Sequence, residues 1–309
     1  MNRYLLVAFI FSLFLIKSHG QNNGDIIART PVAFPPYAEV KDISWYYEKG
    51  SYEDAAKDKS ITYEKLNYYS DGLKVIAFLI SPMQKANQKL PVIIFNRGSF
   101  IRNDIAYVHA PLFQKLAHEG FIVIAPALRQ SEGGEGKDEL GGEDLHDIMN
   151  IWPLLEKLPS ADRKNVFMLG ESRGGMMTYM VLKKGFQVNA AATIGAITDL
   201  EAYIAERPWD ENNLKNLWNN YEQQKKVILQ NRSVMAWHDS IHTPVLILHG
   251  AKDPQVKPHH ALQLAQAFSS TGKSYELHVF NEGNHILSGP VTEARDEMVI
   301  GWFRKFMVK

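Results

Sequence analysis

The sequence predicts an α/β fold, a mostly parallel central sheet flanked by helices, on two observations. Short, continuously apolar runs recur at Pro91 to Phe95, Phe121 to Ala125, Val166 to Leu169, Ala190 to Ile194 and Pro244 to His249, as in strands covered on both faces. Helical stretches alternate with them. One run leads through Gly170-Glu171-Ser172-Arg173-Gly174 directly into a helix, so Ser172 falls on a tight strand-to-helix turn.

Residues 1 to 20 read as a signal peptide: Arg3 gives a basic start, Tyr4 to Ile16 an apolar run, and Ser18-His19-Gly20 small residues before a cut at Gln21. The run falls short of the roughly 20 apolar residues a spanning helix needs; an uncleaved anchor is the alternative. The mature chain is therefore expected to be secreted or periplasmic, with no stable membrane association after cleavage. Residues 21 to 60, with Pro31, Pro35 and Pro36, show no sustained period and read as an extended lead-in to a main domain over 61 to 309. Ile61 to Tyr69 and Leu73 to Ile80 flank Ser70-Asp71-Gly72, a hairpin signature. Helices are expected at Ala110 to Glu119, at Asp144 to Leu158 with an interruption at Pro153, from Gly175 to Lys184, and at His259 to Ser270. Residues 197 to 242, too long for a plain connection and with helical spacing around Leu214 to Leu229, read as a small helical cap inserted over the sheet's carboxyl edge.

Composition excludes several functions. Lys plus Arg and Asp plus Glu both number 34, so no global field draws in nucleic acid. Cysteine is absent, which removes disulfides, thiolate metal sites and a Cys nucleophile together. The acidic, Gly-rich stretch Ser131 to Asp147 matches no calcium-loop pattern and reads as a solvated loop leading into the next helix. No metal and no cofactor are expected.

A serine hydroxyl becomes a useful nucleophile only when a base takes its proton, and a neutral imidazole needs a carboxylate to fix its tautomer. Asp253 follows the strand Pro244 to His249, and His285 follows the strand Tyr275 to Phe280. Both then lie on loops at the sheet edge that carries Ser172, in the chain order Ser, Asp, His of the α/β-hydrolase fold. Asp199, after the preceding strand, is the rival acid. His249, His259 and His260 read as a strand-end residue and helix-opening residues. An oxyanion hole needs backbone N–H groups: Arg173, next to the nucleophile, supplies one, and Arg97, in the loop Asn96-Arg97-Gly98-Ser99-Phe100, is the expected second. The alternative is that Gly98 only makes a turn there.

With these pieces the chain resembles the prolyl oligopeptidase family, peptidase family S9, in its catalytic domain. The resemblance covers residues 73 to 309 and rests on Gly170-Glu171-Ser172-Arg173-Gly174-Gly175-Met176, on Pro244 to Gly250 leading to Asp253-Pro254-Gln255-Val256, on Gly283-Asn284-His285, and on Gly141-Gly142-Glu143-Asp144. It implies Ser172 as nucleophile, Asp253 as acid and His285 as base. It differs in two positions, since family members carry an aromatic residue where this chain has Arg173 and the oligopeptidases a tyrosine where it has Arg97. The family's β-propeller does not appear in the sequence. The expectation is a serine hydrolase acting on a small-molecule ester or peptide, with a carbohydrate or short-chain acyl esterase of the same fold as the alternative. A non-catalytic binding protein on a hydrolase scaffold is the reading from another class.

Overall fold

A computed structural model describes residues 22–83, 88–99 and 102–309, leaving out only the Asp210 side chain within these ranges. Residues 1 to 20, read from the sequence as a signal peptide, lie outside them. The described residues form a nine-stranded sheet in the order β1-β2-β3-β5-β4-β6-β7-β8-β9, with β1 Ile26–Pro31, β2 Ile61–Ser70, β3 Leu73–Pro82, β4 Leu90–Asn96, β5 Ile122–Pro126, β6 Ala161–Glu171, β7 Ala190–Ile194, β8 Val245–Gly250 and β9 Tyr275–Phe280. The first three strands and β5 pair antiparallel in sequence across the sheet, and from β5 to β9 every pair is parallel. This is the α/β-hydrolase arrangement the apolar runs predicted.

Period-2 alternation explains why those runs are apolar throughout. Along β6, Val166 and Met168 enter the core on one face while Phe167 and Leu169 enter the core on the other. The chain steps from β4 to β5 on one side and then crosses to β6 on the other, so the strand order reverses at β4 and β6. A crevice opens at such a point beyond the strands' carboxyl ends, and Ser172 sits there, one residue past β6.

One element is as expected and several differ for identifiable reasons. The hairpin turn has both central residues at positive φ, Asp71 at 54° and Gly72 at 78°, with Ser70 paired to Leu73, a two-residue turn whose twist suits the strands. The lead-in is not merely extended: Ile26–Pro31 adds an edge strand, and helices Ile43–Tyr46 and Lys49–Lys57 follow. The helix expected from Asp144 is two short helices, Leu145–Met149 and Ile151–Leu155. The break precedes Pro153 because the proline ring would collide with the carbonyl four residues back, at Met149, and cannot donate to it. The segment 197–242 holds helices Leu200–Glu206, Pro208–Leu214 and Tyr221–Asn231. Among the described residues, no helix is long and apolar enough to cross a membrane.

The acidic stretch is the clearest correction. Its carboxylates Asp138, Asp144 and Asp147 are buried instead of solvated. Asp147 binds Arg129 through its backbone N–H and guanidinium, while Asp144 accepts the N–H groups of Gly141 and Gly142. Buried charges persist only when paired and hydrogen-bonded, and each of these is.

Candidate active site

The turn after β6 holds Ser172 at φ 54° and ψ −120°, a conformation that L-residues rarely adopt and that costs on the order of 1–3 kcal/mol. Crowding enforces it. A Cβ at Gly174 would stand 1.8 Å from the Asn96 carbonyl oxygen, so only glycine lets the helix Arg173–Lys183 start against β4. The strained backbone lifts the serine side chain out of the sheet edge toward the loop after β9.

There the predicted residues meet. Ser172 Oγ lies 2.9 Å from His285 Nε2, and His285 Nδ1 lies 2.8 Å from Asp253 Oδ2. The other Asp253 oxygen accepts the backbone N–H groups of Gln255 and Val256 at 2.8 and 2.9 Å. Burial opposes ionisation of Asp253, yet hydrogen bonds from His249 and His285 and from the Val256 N–H hold its carboxyl well below the usual carboxylate range. An ionised acid facing Nδ1 fixes the proton there and leaves Nε2 open to the serine hydroxyl. Asp199, the rival acid, instead caps helix Leu200–Glu206 by accepting from Glu201 and Ala202.

His249 contributes more than a strand end. Its Nε2 is 2.8 Å from the Val256 carbonyl and 3.3 Å from Asp253 Oδ2, both acceptors, so Nε2 carries the hydrogen and adds a donor to Asp253. No local pattern in the sequence signals this, because the partner lies beyond a turn.

The side chains of the two arginines expected at the oxyanion hole are both tied down. Arg173 is buried and forks onto Asp138 at 2.7 and 2.6 Å and reaches Asp144 at 2.9 Å. Arg97 is buried as well, donating to the carbonyls of Ala127, Gly98 and Ser99 and to Ser131 Oγ. Neither guanidinium is available as a cationic lure at the entrance; the acidic stretch neutralises Arg173, and with it the departure from an aromatic residue at this position.

A cavity of about 440 Å³ opens over Ser172 and His285, a size suited to a small ligand. Ile197, Leu200, Tyr203 and Leu214 of the inserted segment wall one side, and Trp45 and Tyr46 of the lead-in wall another. Gly98 and Ser99 line it, whereas Arg97 does not. The contribution of Trp45 and Tyr46 was missed from the sequence. Their aromatic cluster was the available signal, and it carried no period that could place it.

Glu171 was missed too. It lines the cavity beside Ser172, only 2% exposed, with no hydrogen-bond partner among the described residues. Burial pushes its carboxyl up to about 7, against the opposing pull of Arg295, His285 and Arg102. Between the ordinary value of 4.5 and about 7 the folded protein keeps a proton the unfolded chain has released, so this group's stabilising contribution falls as pH rises through that window. Glu171→Gln should therefore match wild type near pH 4.5 and exceed it at pH 8 by up to about 3 kcal/mol. Thermal melts at the two pH values check this; a variant less stable than wild type at pH 8 would show that the ionised carboxylate is held by a partner.

The comparisons with known proteins agree with this geometry. The model of the prolyl oligopeptidase family matches residues 109–308. The Bacillus subtilis uncharacterized peptidase YtmA is 26% identical over 71% of this chain and 84% of its own length. Dipeptidyl-peptidase 5 of Porphyromonas gingivalis is 23% identical over 78% of this chain, which spans only 37% of it. Among solved structures, the Pyrococcus horikoshii acylaminoacyl peptidase superposes with a TM-score of 0.68 at 21% identity, over 82% of this chain and 43% of that one. The Pyrococcus furiosus esterase Pf2001 does so with a TM-score of 0.64 at 16% identity, over 83% of this chain and 94% of that one. These two share the fold with this chain. Resting on the family match over most of its length, the chain is a serine hydrolase that belongs to the prolyl oligopeptidase family.

Proposed function

We propose that this hydrolase cleaves small acyl substrates, esters faster than peptide amides, through an acyl-enzyme on Ser172. The observation that carries the reading is the continuous relay from Ser172 through His285 to Asp253 at 2.9 and 2.8 Å, opening into a cavity that the chain itself walls. Ser172 Oγ attacks the carbonyl carbon while His285 Nε2 takes its proton; collapse of the tetrahedral intermediate expels the leaving group, which receives that proton. Water then gives a proton to His285, attacks the acyl carbon and releases the acid, and the proton returns to Ser172.

The developing oxyanion needs two N–H donors. Arg173, the first residue of its helix, offers one at the positive end of the helix dipole. The second is assigned to Ser99 in place of Arg97. The Gly98 carbonyl accepts from the buried Arg97 guanidinium, and in a planar trans peptide the Ser99 N–H points the opposite way, toward the cavity both residues line.

The preference for esters is supported by the cavity's small volume and by the single-domain esterase sharing the fold over nearly its whole length. A peptidase reading is favoured by the family itself and by YtmA. For an ester and an anilide sharing one acyl group, catalytic efficiency should be higher for the ester, and Tyr203→Ala or Leu214→Ala should alter selectivity among acyl groups. Higher efficiency on the anilide would restore the peptidase reading.

Export is part of the proposal, supported by Arg3, the apolar run Tyr4 to Ile16 and Ser18-His19-Gly20. Mass spectrometry of the native protein should find Gln21 at the amino terminus, and intact Met1 in a membrane fraction would contradict it.

A further inference from the structure

Outside the active site, Glu206, His259 and His260 bring a carboxylate oxygen and two imidazole nitrogens within 4.8 Å of one another. They come from two elements: Glu206 ends the cap helix Leu200–Glu206, and the histidines open helix His259–Ser270. His259 Nε2 lies 3.0 Å from Glu206 Oε1, and the two histidine rings stack with centroids 4.8 Å apart. Lys257 Nζ sits 3.8 Å from the other Glu206 oxygen on a side chain that is mostly exposed, leaving Oε1 to His259.

The protonation of His260 follows from its neighbour. Thr198 gives its one hydroxyl proton to the His260 carbonyl at 2.9 Å, and the same Oγ1 lies 3.2 Å from His260 Nδ1. An oxygen whose proton is committed can only accept, so Nδ1 carries the hydrogen and Nε2 presents a lone pair. That Nε2 is fully buried with no hydrogen-bond partner among the described residues. A buried acceptor left unsatisfied is costly. An imidazole pinned through Nδ1–H with a lone pair open on Nε2 is also the state in which histidine binds a metal, its second nitrogen held by a fixed acceptor.

We propose that Glu206, His259 and His260 form a site for one zinc-class divalent cation, which ties the cap helix to the body of the protein. Two neutral imidazoles and one carboxylate suit a borderline metal with a water as fourth ligand, and suit calcium or magnesium poorly. Tetrahedral ligands at about 2.0–2.1 Å from zinc stand roughly 3.3 Å apart. The half-exposed His259 ring, already 3.0 Å from Glu206, supplies the rotation that closes the rest. Leu200 and Tyr203, on the helix that Glu206 ends, line the cavity over Ser172, so the ion fixes a wall of the substrate cavity without touching the reacting atoms.

The test uses the full mature chain stripped with a chelator and titrated with zinc, with calcium as the control. Calorimetry should find one zinc per chain with a Kd below about 100 μM, and zinc but not calcium should raise Tm. His259→Ala and Glu206→Gln should each weaken zinc binding at least about tenfold and remove the Tm rise, while retaining wild-type ester hydrolysis in chelator as evidence that they fold. A Kd weaker than that limit in the wild type, or binding unchanged in both variants, would overturn the proposal; the second result would place the ion elsewhere, and the first would leave the His260 lone pair to a buried water.

Discussion

Ser172→Ala should lower turnover of an activated ester by about four to six orders of magnitude, because members of a nucleophile-base unit fail together. The cause is the geometry of one turn. Ser172 Oγ is the atom that His285 Nε2 faces at 2.9 Å. Alanine keeps the Cβ and hence the same strained backbone at φ 54°, so the loss reports chemistry instead of folding. His285→Ala should cost about as much, and the double variant little more than either single one. Steady-state rates for the three variants check this, and a Ser172→Ala enzyme retaining more than about one per cent of activity would contradict the mechanism.

Asp253→Asn should lower turnover by about four orders of magnitude with KM little changed. Its Oδ1 can keep accepting the N–H groups of Gln255 and Val256. The amide nitrogen must then occupy the place of Oδ2, where it faces the N–H of His285 and that of His249. Two donors cannot pair, so His285 shifts its proton to Nε2 and can no longer accept from Ser172. Asp199→Asn keeps an oxygen for the helix cap and should leave turnover near wild type. The reverse outcome, with Asp199→Asn inactive and Asp253→Asn active, would transfer the acid's role.

The parallel core strands and the three catalytic candidates were legible because they rest on local signals. Continuous apolar runs mark doubly covered strands, and Gly170 to Gly174 marks a turn only small residues can make. What was illegible depends on contacts far apart in sequence. Asp138 and Asp144 look solvated beside their glycines, and their pairing with Arg173 together with the N–H groups of Leu140, Gly141 and Gly142 explains why they are buried. Ile26–Pro31 lacks strand alternation, since as an edge strand it is exposed over most of its length. Trp45 and Tyr46 reach the cavity through an aperiodic segment, and the Asp253 contact of His249 crosses a turn. Arg97 was the expected oxyanion donor from its place after β4; its side chain is anchored inward, a contact that does not bear on its backbone N–H, and the two residues that follow line the cavity.

Activation of Ser172 by His285 for covalent catalysis underlies the whole mechanism. Treating the protein with a fluorophosphonate and mapping the adduct by peptide mass spectrometry tests it most directly. The expected result is stoichiometric phosphonylation of Ser172, loss of ester hydrolysis in step with labelling, and no labelling at that peptide in His285→Ala. Full activity in a protein left unlabelled at Ser172, or a stoichiometric adduct on another residue that abolishes activity, would contradict it.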